Sequence, residues 1–461
     1  MRADHRYRYD SMAGLIPNVP GTGNKVPVDS YIAGISESYP NANRQRVVES
    51  SINSRECLDF MPSNMGLNQT LTDRYMDFRI HGVTGSFIDM SSLVLEMCIK
   101  VTKGGDELQD ADNIMFVNGL SNTIFKSVTV FLNEKMVESN PIYGYTSFSK
   151  LLKSCKRSTM HNIGKCGFFY DDASGIGGIK DVFLPATFTT ADSLEGQMSR
   201  KIKSEGINIC FPLLLDLCSL DMYLLDSVDV RIRLEMANNS WIMNTNEGGA
   251  TTKVDVQMAK LWLDRVTPHY NSILALNDAL TINPIQYIFN KTLHKTYVIG
   301  SYQNSILIEQ PFGSCIPEKM GMMLVDMRNF SGDYTRNPLF LKNCDLSNIH
   351  ITINGSTIYN INCEFPNNIS NLYYITQKSL GLAHENMISY DSFSQGRTLM
   401  YFNFITEDMD DALPVEMSAS MRINLKLRVN VASPVVVILL AETTGLLTID
   451  SARSIVTDVR G

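Results

Sequence analysis

No apolar run in this 461-residue chain is long enough to cross a bilayer as a helix. The longest, Val435 to Ala441, falls well short of the roughly 20 residues such a helix needs, and following Pro434 it reads as a buried strand. Charge is also scarce. Charged residues make up 19% of the chain, below the roughly 25% of ordinary soluble domains. That fits either extensive surface buried in an assembly or simply a β-rich composition. The formal net charge of −8 provides no basic field for wrapping nucleic acid. The nine cysteines are an odd number with no C-x-x-C pair, which argues against a disulfide framework and against a zinc site. The first ten residues, MRADHRYRYD, lack the apolar stretch of a signal peptide. An intracellular, reducing site of synthesis is therefore expected, with the sequons at Asn68 and Asn290 unused.

Catalytic signatures are equally sparse. Gly175, Gly177 and Gly178 cluster, but no Gly-Lys-Ser/Thr follows, so they read as a surface loop and not a phosphate cradle. The neighbouring Asp171 and Asp172 lack the rest of a calcium loop. There is no G-x-S-x-G elbow. The histidines (His5, His81, His161, His269, His294, His350 and His384) form no H-x-H or H-E-x-x-H pair, and His384-Glu385 stands alone. Distant strands can still converge on a metal, so spacing alone does not exclude one. The acidic run Glu407 to Asp411 reads as a charged loop tip, because acid–base work needs carboxylates separated in pKa by burial. No catalytic, cofactor or metal site is expected, and the chain does not read as an enzyme.

What is present is alternation. Val228, Val230, Ile232, Leu234 and Met236 alternate with Asp229, Arg231, Arg233 and Glu235. Met421, Ile423, Leu425, Leu427 and Val429 alternate with Arg422, Asn424, Lys426 and Arg428. Side chains on a strand point to opposite faces in turn, so each segment has an apolar wall and a charged wall. Val230, Ile232, Ile423 and Leu425 should be buried, with Arg231, Arg233, Arg422 and Lys426 outward. A second pair repeats at a constant offset: Val128, Val130, Leu132 and Asn133 match Ile349, Ile351, Ile353 and Asn354. Both copies end at Asn, which tolerates left-handed turns. Helical spacing follows each, near 145–155 and 370–382.

These repeats predict an all-β protein of two tandem eight-stranded jelly-roll sandwiches with short helices in the connecting loops. The expected division is an irregular N-terminal arm over 1–50, a first jelly roll over 51–268, and a second over 269–461 with a C-terminal tail. Thr267-Pro268-His269 is the linker candidate. Further strands are expected at Met76–Ile80, Leu93–Val101, Phe125–Leu132, Ile207–Phe211, Val254–Val266, Ile282–Thr296, Met322–Met327, Leu399–Ile405, Val435–Ala441 and Leu446–Ile449. The arm, with Arg2, Arg6 and Arg8 among Tyr7 and Tyr9, reads either as an extended segment that reaches a neighbouring subunit or the interior of an assembly, or as a loose terminus.

Several segments, in order over roughly residues 75–455, resemble the double jelly-roll major capsid proteins of Polinton/Maverick elements and adintovirus-type viruses, in the adenovirus hexon-like lineage. They include Phe87-Ile88-Asp89-Met90-Ser91-Ser92, Val117-Asn118-Gly119-Leu120, Val128 to Asn133 and Leu225 to Arg231 in the first half. In the second half they include Asn337-Pro338-Leu339-Phe340, Ile351 to Gly355, Gly396-Arg397-Thr398-Leu399, Leu439 to Glu442 and Ile449 to Arg453. The segment Cys57 to Leu67, where the family's first strand would begin, matches poorly, as do residues 1–50 and 156–205. The resemblance implies a structural subunit located in the virion. Three copies would form a pseudo-hexagonal capsomer that tiles an icosahedral shell around double-stranded DNA, enclosed but not specifically bound. The partners implied are the chain itself, neighbouring capsomers, and penton or minor capsid proteins, with no membrane span and synthesis in the host-cell cytoplasm. The alternatives are another virion component, such as a glycan-binding attachment or minor capsid protein using Tyr170 and Tyr334, or a jelly-roll enzyme.

Overall fold

The computed structural model describes residues 52–457 apart from 67–69, 72, 110, 111, 113, 171–180, 182–204, 246–250, 383, 384 and 405–418. The expected arm, the Gly175 cluster with Asp171 and Asp172, the acidic run at 407–411 and His384 all lie outside the described residues.

The first half contains β1 (Ile52–Phe60), β2 (Tyr75–Ile80), β3 (Phe87–Lys103), β4 (Asp106–Glu107), β5 (Ile114–Phe116), β6 (Phe125–Leu132), β7 (Lys135–Asn140), β8 (Ile207–Pro212), β9 (Val230–Met236), β10 (Met243–Thr245) and β11 (Thr252–Pro268). The second contains β12 (Ile285–Ile299), β13 (Ser305–Glu309), β14 (Lys319–Asp326), β15 (Leu346–Ile353), β16 (Ser356–Asn362), β17 (Leu399–Asn403), β18 (Met421–Leu427), β19 (Val435–Ile449) and β20 (Ile455–Thr457).

These strands build two sandwiches on one plan. Sheet I runs β1-β11-β3-β8, and the two-residue β4 shares the β8 edge of β3. Sheet II, facing it across the core, runs β2-β9-β6-β7. Sheet III runs β12-β19-β14-β17, with the short β20 on β19, and sheet IV runs β13-β18-β15-β16. Strand for strand, the order in sheets III and IV repeats that in sheets I and II. Setting aside β4, β20 and the small β5–β10 pair, each half is an eight-stranded antiparallel jelly roll, and among the described residues no sheet draws strands from both halves. Residues 50–461 nevertheless form one compact unit.

The alternating strands lie as their periodicity requires. In β9, Val230, Ile232 and Leu234 are buried, and in β18 Met421, Ile423, Leu425 and Leu427 are buried. Outside, Arg231 grips the Asp77 carboxylate at 2.7 Å, and Arg233 lies 4.2 Å from the Tyr75 ring centroid. Arg422 pairs with Glu309 at 3.3 Å, and Lys426 is exposed. Val429 departs from the expected row. The strand ends at Leu427, and Val429 beyond it is 57% exposed. The Asn residues at the strand ends close matching hairpins. Asn133-Glu134 and Asn354-Gly355 both have positive φ at both positions, the geometry of a type I′ turn between twisted strands.

Other boundaries differ from the expectation. Thr267 and Pro268 are the last residues of β11, and the chain then enters a helix, Tyr270–Ile282. Ile282 is 79% exposed and ends that helix; the strand begins at Ile285. The two expected strands at 435–441 and 446–449 are one continuous strand, β19. Gly445 sits within it because a Cβ there would come 2.9 Å from the Phe289 ring. Strands β1, β7, β13 and β16 carried no usable pattern. All four lie at sheet edges and are largely exposed, so nothing in packing imposes alternation on them.

Candidate functional site at the seam between the two sandwiches

Sheet III is buried on both faces along β14, β17 and the Val435–Ala441 part of β19, while its edge strand β12 is partly exposed. Cross-strand pairing puts Thr292, Glu442, Lys319 and Asn403 in one row, and His294, Leu440, Gly321 and Tyr401 in the next. These rows point away from sheet IV, toward the first half. Leu440, Gly321 and Tyr401 are buried there as fully as Leu439, Met322 and Phe402 on the core side. Gly321 has no room for a side chain, since a Cβ would come 2.8 Å from the Tyr401 ring.

The helix Tyr143–Ser154 and the segment after β8, both from the first half, cover this face. Ser149 Oγ lies 3.2 Å from the Tyr401 hydroxyl, which donates to Glu442 Oε1 at 3.2 Å. Lys153 pairs with the same Glu442 oxygen. The Asp216 carboxylate accepts from the Thr292 backbone N–H at 2.7 Å and from its hydroxyl at 2.9 Å. Lys150 donates to Asp216 at 2.6 Å and to the Leu214 carbonyl at 3.0 Å. Glu138, on β7, accepts from the backbone N–H groups of Asp216 and Leu217 at 3.0 and 3.2 Å. His294 Nδ1 is buried at the margin without a hydrogen-bond partner.

Burial sets the protonation of this network. Desolvation, reinforced by the Asp216 charge, raises Glu138 to about 7. Desolvation acts against Lys150, but Asp216 and Glu138 outweigh it and its pKa is raised. Asp216 would rise by burial alone; Lys150 and the Thr292 hydrogen bonds hold it below the usual carboxylate range. Desolvation and the Lys150 charge push Lys153 down to about 7, while the Asp216 charge acts in the opposite sense. The network fixes geometry more than it adds stability, because desolvating ions offsets most of what pairing them gains.

Two further groups lock the seam. Tyr145 stacks on Phe330 at 5.6 Å, meets Trp241 edge-on at 5.8 Å, and donates to the Pro338 carbonyl at 3.0 Å. At the chain's far end, Arg453 pairs with the buried Asp226. Asn133 donates to the Arg453 carbonyl at 2.8 Å, and Lys135 to that of Ile455 at 2.9 Å.

Of the residues weighed for chemistry, few converge. His81 is exposed and His350 bonds Thr357 at 3.0 Å. Tyr170 and Tyr334 are partly buried against the core and do not stand out from the loops. Among the described residues, no three His, Cys, Asp or Glu side chains come together as a metal site, and no helix is long and apolar enough to cross a membrane. Sequence reasoning missed the seam. Its visible trace was the unbroken Val435–Ala441 run ending at Glu442, because a strand buried on both faces loses its alternation.

No family model matches the sequence, and no curated protein does. Solved structures do. A chain from the structure of the Sputnik virophage superimposes with a TM-score of 0.59 at 12% identity, over 97% of this chain and 95% of that one. The PBCV-1 virus capsid gives 0.56 at 10% identity, over 91% of this chain and 100% of that one. The mavirus major capsid protein gives 0.50 at 10% identity, over 96% and 97%. At such identities the likeness is one of fold. This chain has the double jelly-roll fold seen in viral major capsid proteins, in agreement with the resemblance drawn from its sequence.

Proposed function

We propose that this chain is a non-enzymatic major capsid protein, a Polinton/Maverick-type subunit whose homotrimer forms a pseudo-hexagonal capsomer. The reading rests on one observation above all. The double jelly-roll likeness extends over nearly the whole of this chain and of its structural neighbours. The seam supports it physically. Two sandwiches held in one fixed orientation by a buried network are what a tile with two near-equivalent lobes needs. Three such chains give six lobes, and closed rings are the usual solution for repeated head-to-tail contacts. The first jelly roll would span 51–268 and the second 269–461. In the virion, the capsomers would enclose double-stranded DNA without reading it and would meet penton or minor capsid proteins at vertices. Light scattering on the purified chain should give about three times 51.6 kDa. A monodisperse monomer at micromolar concentration would overturn the proposal, since obligate subunits bury large interfaces.

A further inference from the structure

The two sandwiches share one strand order, yet the equivalent sheets are treated differently. Sheet III is covered on its outer face by the helix Tyr143–Ser154, which lies between β7 and β8 of the other jelly roll. Sheet I, its counterpart, has nothing described on the same face. Its outward row pairs Glu96 with Lys260 and Cys210, and the adjacent rows hold Val94, Trp262 and Met258. All are half-buried or exposed. Trp262 donates to Glu96 at 2.8 Å and Lys260 lies 5.6 Å from the Trp262 ring, so the face is ordered in advance.

The counterpart of the covering helix is also unpartnered on one side. The helix Ser370–Leu380 follows β16, the counterpart of β7 in the second jelly roll. Leu372, Thr376 and Ser379 face its own sandwich and are buried, with the Thr376 hydroxyl accepting from the Tyr401 N–H at 3.3 Å on the free edge of β17. On the opposite side, Tyr374 is 56% exposed, Lys378 is exposed, and Leu382 just beyond the helix is 63% exposed. Tyr374 and Lys378, four apart, share one helix face, and Leu382, past the non-helical Gly381, extends the exposed stripe beyond the helix end. By contrast, Tyr143–Ser154 is buried along nearly its whole length, because it has partners on both sides.

We propose that a second copy of this chain docks its Tyr374–Leu382 stripe on the outer face of sheet I, repeating between chains the contact that joins the two halves within one. The occupant follows from the seam itself, which shows what a jelly roll of this plan places on such a face. The stripe and the face are different surfaces, so the contact is heterologous and closes into a ring at three chains. The inference rests on the capsomer reading above and adds which surfaces meet.

Two outward substitutions test it, Met258→Arg on the face and Tyr374→Glu on the stripe. Each is expected to convert the trimer to a monomer by light scattering while leaving the thermal melting curve of the monomer cooperative. Mixed in equal amounts, the variants retain one intact junction and are expected to yield a two-chain species. Either variant remaining trimeric, while the unaltered chain is trimeric, overturns this inference and leaves the capsomer reading in place. A three-chain species formed only on mixing overturns the head-to-tail arrangement. An unaltered chain that is monomeric overturns the capsomer reading itself.

Discussion

Ile232 and Ile423 occupy equivalent places on β9 and β18, each fully buried between the two sheets of its sandwich. Replacing either with Asp would bury a carboxylate with no partner, at a cost of at least about 4 kcal/mol. Loss of soluble protein is the expected result for both. Arg233→Ala should cost no more than about 1 kcal/mol in a denaturant melt, because it removes only an exposed contact with Tyr75. Glu138 calls for a different measurement. Its carboxyl binds a proton more tightly in the folded chain than its ordinary value of 4.5 allows, rising to about 7. Its contribution is therefore greatest below about 4.5 and is lost as pH rises toward and through 7, by roughly 3 kcal/mol at most. Glu138→Gln should flatten that part of the stability–pH profile. Asp216, whose pKa is lowered, acts in the opposite sense and loses its contribution as pH falls below the carboxylate range. An unaltered profile between pH 4.5 and 7 in Glu138→Gln would show that Glu138 does not titrate there.

At the scale of elements, the contrast between β18 and β19 can be measured. β18 has one covered face, and its burial alternates residue by residue. Over Val435–Ala441, β19 lies between sheet IV and the first half, and every residue is buried. An alanine scan monitored by urea melting should alternate along β18, with costs of about 2–5 kcal/mol at Ile423 and Leu425 and little at Arg422 or Asn424. Along Val435–Leu440 the costs should be high without alternation, Leu440 matching Leu439. The same distinction explains what the sequence concealed. The alternating strands announced themselves because a half-covered sheet enforces period two. Edge strands such as β1 and β13, exposed on most of their surface, are under no such constraint. The helix Tyr270–Ile282 was missed because the exposed Tyr270, Leu274 and Ile282 blur the face that Ile273, Leu276 and Leu280 turn toward the core.

For the whole molecule, the seam predicts that the two jelly rolls unfold together. Both tryptophans lie in the first half, Trp262 on β11 and Trp241 at the seam against Gly332, so their fluorescence reports that half and its boundary with the second. Circular dichroism reports both halves. The two signals should follow one transition, because opening the seam exposes the outer face of sheet III and leaves Asp216, Glu442 and Asp226 without their partners across it. Separate midpoints would show that the seam does not couple the halves. Such coupling is what the proposed capsomer requires, since its two lobes must not hinge.

The sequence by itself determined the strand periodicity, the duplication and the inward and outward faces of β9 and β18. Each of these follows from the alternation of side chains along an extended backbone, which is local. It also determined the Asn-closed hairpins, since few residues accept positive φ. Only the tertiary structure decided which outer sheet face is covered and by what. Lys150, Lys153, Asp216, Thr292 and Glu442 are far apart in the chain, and nothing local to any of them specifies its partner. Their meeting depends on how one sandwich is oriented against the other. That orientation is fixed by the summed packing of helix, loop and sheet, and a periodic pattern carries no record of it.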